Sequence, residues 1–182
     1  MKVWIGPYKD ADTPRKEEVV LHDYDTWSMD HTLALIALPM LKQLKETKHG
    51  VPYMDYKDMP EHLKYVPRAY DTRAVYDMFD QAQQPEWDDL HEIEFQRQIK
   101  VWDWMLDEMI WAFEQILDDD NNSQFYSGEP DIYWEKLENG YSEIKHGSND
   151  TFQIDHEGMK KHNERIENGL MLFGKYYRSL WD

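Results

Sequence analysis

Ser28-Met29-Asp30-His31-Thr32-Leu33-Ala34-Leu35-Ile36-Ala37-Leu38-Pro39-Met40-Leu41-Lys42-Gln43-Leu44-Lys45 is the stretch that decides the fold. Leu33, Ile36, Ala37, Met40, Leu41 and Leu44 fall at the i, i+3, i+4, i+7 spacing of one helix face, so the segment reads as an amphipathic α-helix. Ser28 is placed to cap it, and Asp30 sits in the first turn, where the helix dipole favours a carboxylate. Leu35 and Leu38 add apolar surface on other faces, which predicts a first half buried nearly all round. Pro39 removes a backbone donor and predicts a kink. Lys48-His49-Gly50 is expected to close the helix, with glycine just past its end. The fold class that follows is mainly α: a compact helical domain around this kinked central helix, with a few short β-strands.

Working outward toward the N-terminus, Val3-Trp4-Ile5 and Val19-Val20-Leu21 are rich in β-branched and aromatic residues and lie near turn formers. They read as two short strands joined by a polar loop. Toward the C-terminus, prolines 52, 60 and 67 interleaved with tyrosines predict an ordered loop over 51–70, and Asp71 is placed to cap a short helix from Thr72 to about Ala82. Pro85 stands where proline opens a helix, and Glu86 to Leu117 has no further proline or glycine. Ile99, Trp102, Leu106, Met109, Ile110, Phe113, Ile116 and Leu117 form one stripe along it. Such a helix is about 48 Å long, and a bend is expected in it. Tyr141–Ile144 and Thr151–Ile154 read as strands pairing with each other across His146 to Asp150, which puts the second β region at about 141–154. Asp155 is placed to cap a last helix with an inward face of Met159, Ile166, Leu170, Phe173, Tyr177 and Leu180. Gly169 and Gly174 within it each cost about 1 kcal/mol of helix propensity, which predicts close approach of a neighbour or ligand.

Composition bounds what such a domain can do. The 182 residues fit a single domain, 1–182, and include 8 Trp, 12 Tyr and 6 Phe, ample material for a core. Twenty basic residues against 37 acidic ones give a net charge of −17, which disfavours nonspecific binding to nucleic acid or to an anionic membrane. There is no cysteine, hence no thiol nucleophile and no cysteine zinc site. No apolar run approaches the ~20 residues of a membrane span, and the N-terminus lacks the apolar centre of a signal peptide, so a cytoplasmic location is expected.

Several constellations are candidates for chemistry. Asp25, Asp30 and His31 concentrate ligand types just before and inside the first helix, where they can cap the helix or hold Mg²⁺. Asp103, Asp107 and Glu114 share one face of the long helix, as a metal-binding carboxylate face or as a solvated acidic one. Glu46/His49 and Glu143/His146 have the Glu-x-x-His spacing of di-iron bundles, but at a helix end and in a turn. Catalysis by a nucleophile has little support, because there is no Gly-x-Ser-x-Gly elbow and no cysteine, and most of the serines fall in expected caps and turns.

One cluster runs against the overall charge. On the last helix Lys161, Arg165 and Lys175 fall opposite the predicted inward stripe, Arg178 sits off the edge of that face, and Tyr176 and Trp181 lie nearby. Cations beside aromatic rings are what an anionic, ring-bearing ligand such as a nucleotide requires. The alternative is a charge-paired surface, with contacts such as Glu157 to Lys161 at i+4.

Three blocks resemble segments of small proteins from large tailed bacteriophages: Trp27 to Ala34, continuing through Leu41 to Lys45 and Lys48 to Pro52; Leu106 to Glu114; and Met171 to Arg178 with Trp181-Asp182. The resemblance covers about a third of the chain and implies a setting, the cytoplasm of an infected bacterium, with no assigned residue roles. Together these readings predict an accessory, anti-defence type of binding protein that sequesters a nucleotide-like host signal. It is expected to be a homo-oligomer with a small anionic ligand or a host protein as partner, and with no cofactor. The alternatives are a Mg²⁺-dependent nucleotide hydrolase, and an acidic DNA mimic or minor virion protein.

Overall fold

The computed structural model describes residues 1–10, 12–64 and 84–181, with 84–94 described by their backbone alone. Three helices pack together: α1 (Met29–Thr47), α2 (Gln84–Leu117) and α3 (His156–Tyr176). Six short strands accompany them as two-stranded antiparallel pairs: β1 (Lys2–Ile5) with β2 (Glu17–Val20), β3 (Tyr126–Ser127) with β6 (Gln153–Ile154), and β4 (Ile132–Lys136) with β5 (Ser142–His146). The protein is mainly α with minor β, as the sequence predicts. The helix expected at 72–82 lies outside the described residues.

The core is centred on α2, which is flanked by α1 and α3. The predicted stripe is buried at Trp102, Leu106, Met109, Ile110 and Phe113. A second stripe, Val101, Met105, Glu108 and Ala112, is buried as well. It escapes a hydrophobicity reading because it contains a glutamate.

α1 runs from Met29 to Thr47 with Pro39 inside it. Only Ala34 and Leu41 are fully buried, while Met29, Leu33, Leu35 and Met40 are exposed. The helix is therefore one-sided, rather than buried nearly all round. Its termini also differ from expectation. Ser28 occupies the N-cap position without a side-chain bond, and the chain leaves the helix at Lys48 in an extended conformation. Gly50 does not adopt the left-handed geometry expected of it, since among the described residues only Gly128 and Gly140 have positive φ.

A ladder of three ion pairs fastens α1 to α2: Lys42 to Glu114 at 2.7 Å, Lys45 to Asp107 at 2.5 Å and Lys48 to Asp103 at 2.5 Å. The carboxylate face of α2 is thereby taken up by lysines of the neighbouring helix.

The N-terminal hairpin forms as predicted, with Val3 opposite Val19. The second β region is paired differently. β5 pairs with β4, Trp134 facing Ile144, and β6 pairs with β3. The turn that fixes this register is Leu137 to Tyr141, where Asn139-Gly140 supplies the backbone with φ +83° at Gly140. Bonds from the Thr151 N–H to the Glu129 carbonyl and from the Gly147 N–H to the Asp131 carbonyl join the two pairs. Residues 126–154 thus form a single two-stranded ribbon. The extensive contacts of β4 and β5 are with each other, and their side chains are almost all exposed.

Candidate functional site

The basic and aromatic cluster of α3 is best understood from the face that α3 buries. Gly169, Leu172 and Tyr176 are its buried residues, while Leu170 and Tyr177 of the predicted inward stripe are exposed. At 100° per residue, Arg165, Gly169, Leu172 and Tyr176 fall within about 60° of one another. The contact face is rotated by nearly one residue from the predicted one, and it includes a cation. Asp155 caps the helix as expected, accepting from the Gly158 N–H at 2.8 Å.

Arg165 explains the rotation. Its guanidinium donates twice to the buried Glu108 carboxylate, Nε at 2.9 Å and a terminal nitrogen at 2.7 Å, and lies 3.9 Å over the Trp111 ring. These bonds hold the guanidinium in its charged form even more firmly than usual. The aliphatic stem of arginine can cover apolar surface, which lets a charged residue occupy a packing position. His162, one turn earlier, stands edge-on between Trp111 and Phe125, and its Nε2 is buried without a hydrogen-bond partner.

Lys175 and Tyr176 close the other end of the helix over the loop at 54–59. Lys175 donates to Asp55 at 3.0 Å and also to Asp58. These two carboxylates, Asp58 foremost, hold its ammonium well above the ordinary lysine value. The Tyr176 hydroxyl accepts from the Asp55 N–H at 2.9 Å and donates to Asp58 at 2.8 Å, while burial pushes its ionisation up. The ring meets Trp102 edge-on in the core.

The six residues singled out in the sequence therefore do not gather into one cationic surface. Lys161 pairs with Glu157 at 2.6 Å, as the charge-paired alternative has it. Arg165 and Lys175 are neutralised by carboxylates from other elements, and Tyr176 is buried rather than bordering an open face. Arg178 and Trp181 are exposed, and among the described residues Arg178 has no carboxylate partner.

The candidate metal ligands are likewise dispersed. The Asp25 carboxylate accepts from the His22 N–H at 2.6 Å and takes the Met1 ammonium at 2.9 Å, and these contacts lower its ionisation below the usual carboxylate range. Asp30 and His31 lie in the first turns of α1. Among the described residues no three His, Asp or Glu side chains are grouped to hold a metal ion. His146 pairs with Asp150, not with Glu143. No described helix is long and apolar enough to cross a membrane.

Comparison with protein-family models, with curated proteins and with solved structures finds no match.

The feature that sequence reasoning passed over is apolar. On β4 and β5 the cross-strand register places Ile132, Trp134 and Ile144 on one ribbon face together with Lys136, Ser142 and His146, and places Tyr133, Glu135, Glu143 and Lys145 on the other. On α1, Met29, Leu33, Ile36 and Met40 fall within about 60° of each other, roughly a third of a turn from the buried Ala34 and Leu41. The β-branched and aromatic run Ile132-Tyr133-Trp134, followed by Asn139-Gly140, was the available signal for the first surface.

Proposed function

We propose that this chain is a non-catalytic binding protein that acts by docking to another protein, as an accessory factor in the infected-cell setting that the phage resemblance implies. The observation that carries the reading is the β4–β5 ribbon, one face of which leaves three large apolar side chains in water. Three large apolar side chains grouped on one ribbon face form a surface that burial would stabilise, and a lone two-stranded hairpin is marginal in water. Here Ile132, Trp134 and Ile144 are all exposed. The net charge of −17 keeps such a surface soluble until a partner covers it.

Affinity capture with the tagged chain, run in parallel with the Trp134→Asp variant, tests this. The reading expects a partner that the wild type retains and the variant loses. Identical recoveries would sink it.

A second reading keeps the anionic, ring-bearing ligand and is favoured by the chain's end alone, where exposed Tyr177 and Trp181 flank Arg178. Isothermal calorimetry against mononucleotides and cyclic dinucleotides checks it. Heat that disappears in Arg178→Ala supports it, and absence of heat removes it. The metal-hydrolase alternative has less support, because Asp103, Asp107 and Glu114 each hold a lysine.

A further inference from the structure

We infer that the partner covering these surfaces is a second copy of the chain, and that two copies exchange contacts by laying the β4–β5 ribbon of each across α1 of the other. The inference rests on the docking reading above and names its partner.

The first argument is complementarity within one chain. The ribbon offers Ile132, Trp134 and Ile144, exposed by 55%, 67% and 46%, and α1 offers Met29, Leu33 and Met40, exposed by 56%, 52% and 66%. Each surface leaves about 350 Å² of apolar area in water, taking roughly 200 Å² for a large side chain.

Area then decides the geometry. One ribbon on one α1 removes about 700 Å² in all, the size of an incidental contact. Two such contacts related by a two-fold axis remove about 1,400 Å², within the range of a specific dimer, and they close the assembly so that no further copy is recruited.

Charge points the same way. Two copies of a −17 chain repel, so an interface has to avoid placing carboxylates against carboxylates. The β4–β5 hairpin, 132–146, holds three acidic and two basic residues, Glu135 and Glu143 lie on the face away from Trp134, and α1 has no carboxylate between Asp30 and Glu46. The Trp134 face, with no carboxylate from β4 or β5, can be laid on that stretch without setting carboxylate against carboxylate.

Sedimentation velocity of the full chain across about 1–100 µM tests the exchange in a range where a specific interface of this size associates. The wild type is expected at twice 22.1 kDa. Trp134→Asp and Leu33→Asp are each expected to weaken association at least tenfold with unchanged far-ultraviolet circular dichroism, since both residues are exposed. If either variant loses structure, Ile144→Asp and Met40→Asp take its place. An equimolar mixture of the two variants is expected to associate more tightly than either alone, because one ribbon-on-α1 contact stays intact. A wild-type monomer at the top concentration overturns the inference. So does a dimer indifferent to either substitution, or a mixture with no gain. A monomer that still captures a different protein through Trp134 would overturn the exchange and leave the docking function standing.

Discussion

Gly169 of α3 lies so close to Ala112 of α2 that a β-carbon added to the glycine would stand 2.5 Å from that of Ala112 and 2.5 Å from the Glu108 carbonyl oxygen. Neither neighbour is a flexible tip that can swing aside. Gly169→Ala should therefore cost about 2 kcal/mol, despite alanine's better helix propensity, because the helices must separate. Gly174 has nothing within 4 Å of the same position, so the close neighbour expected there is missing. Gly174→Ala should stabilise by about 0.5–1 kcal/mol. Urea denaturation of both variants checks the opposite signs.

Arg165 and Glu108 form a second test of the α2–α3 contact. Arg165→Ala leaves a buried carboxylate without its two donors and bares the Trp111 ring, for a loss of about 2 kcal/mol. Arg165→Lys keeps the charge but loses the fork, and should recover only part of it. A double-mutant cycle with Glu108→Gln should return a coupling above about 1 kcal/mol. A coupling near zero would show that the pair contributes nothing specific.

Tyr176→Phe removes one hydroxyl that serves both the Asp55 N–H and the Asp58 carboxylate. The expected cost is about 1–2 kcal/mol. Hydrogen exchange should rise at residues 54–59 while protection in the middle of α2 falls only by the global loss.

Acid should destabilise the fold in a defined window. Asp10, Asp25, Asp55 and Asp150 all have ionisation lowered by hydrogen bonds or lysine and histidine partners, below a reference value of 3.8. Groups depressed in the folded state contribute stability above the unfolded value and lose it as pH falls through the folded one. Between pH 7 and 5, by contrast, protonation relieves the −17 net charge. Thermal melts from pH 8 to 2.5 should show a maximum near pH 5 and a steep fall below about pH 4. A melting temperature that holds level from pH 5 to 3 would contradict this.

The parts of the fold that were legible in the sequence are those decided locally. The long helix shows itself because thirty-odd residues pass without proline or glycine while the stripe from Trp102 to Phe113 keeps helical spacing. The N-terminal hairpin and the Asp155 cap are equally local. What was missed depends on partners far apart in the chain. Arg165 counts as a solvent residue until Glu108, 57 positions away, is seen to receive it. Lys45 and Asp107, 62 positions apart, look like two surface charges until the helices meet. The candidate ligand site failed to assemble partly for the same reason, since Arg165 and Lys175 are committed to carboxylates of other elements that the sequence could not place, while the Lys161–Glu157 pair was legible at i+4. The β4–β5 pairing was within reach, because Asn139-Gly140 marks its turn.

The rungs between α1 and α2 have a further consequence because they are unevenly spaced. Lysines at 42, 45 and 48 step by three and three, whereas their carboxylates at 114, 107 and 103 step by seven and four. Small apolar residues such as Ala34 and Ala37 offer little resistance to sliding one helix along the other by a turn. The charged rungs do resist it, since a one-turn slip that brings Lys45 to Asp103 leaves Lys42, whose Glu114 lies seven residues from Asp107, and Lys48 without carboxylates. They work like the unequal teeth of a key, admitting one alignment of the two helices, so loss of a single rung is expected to blur that alignment more than it lowers the melting point.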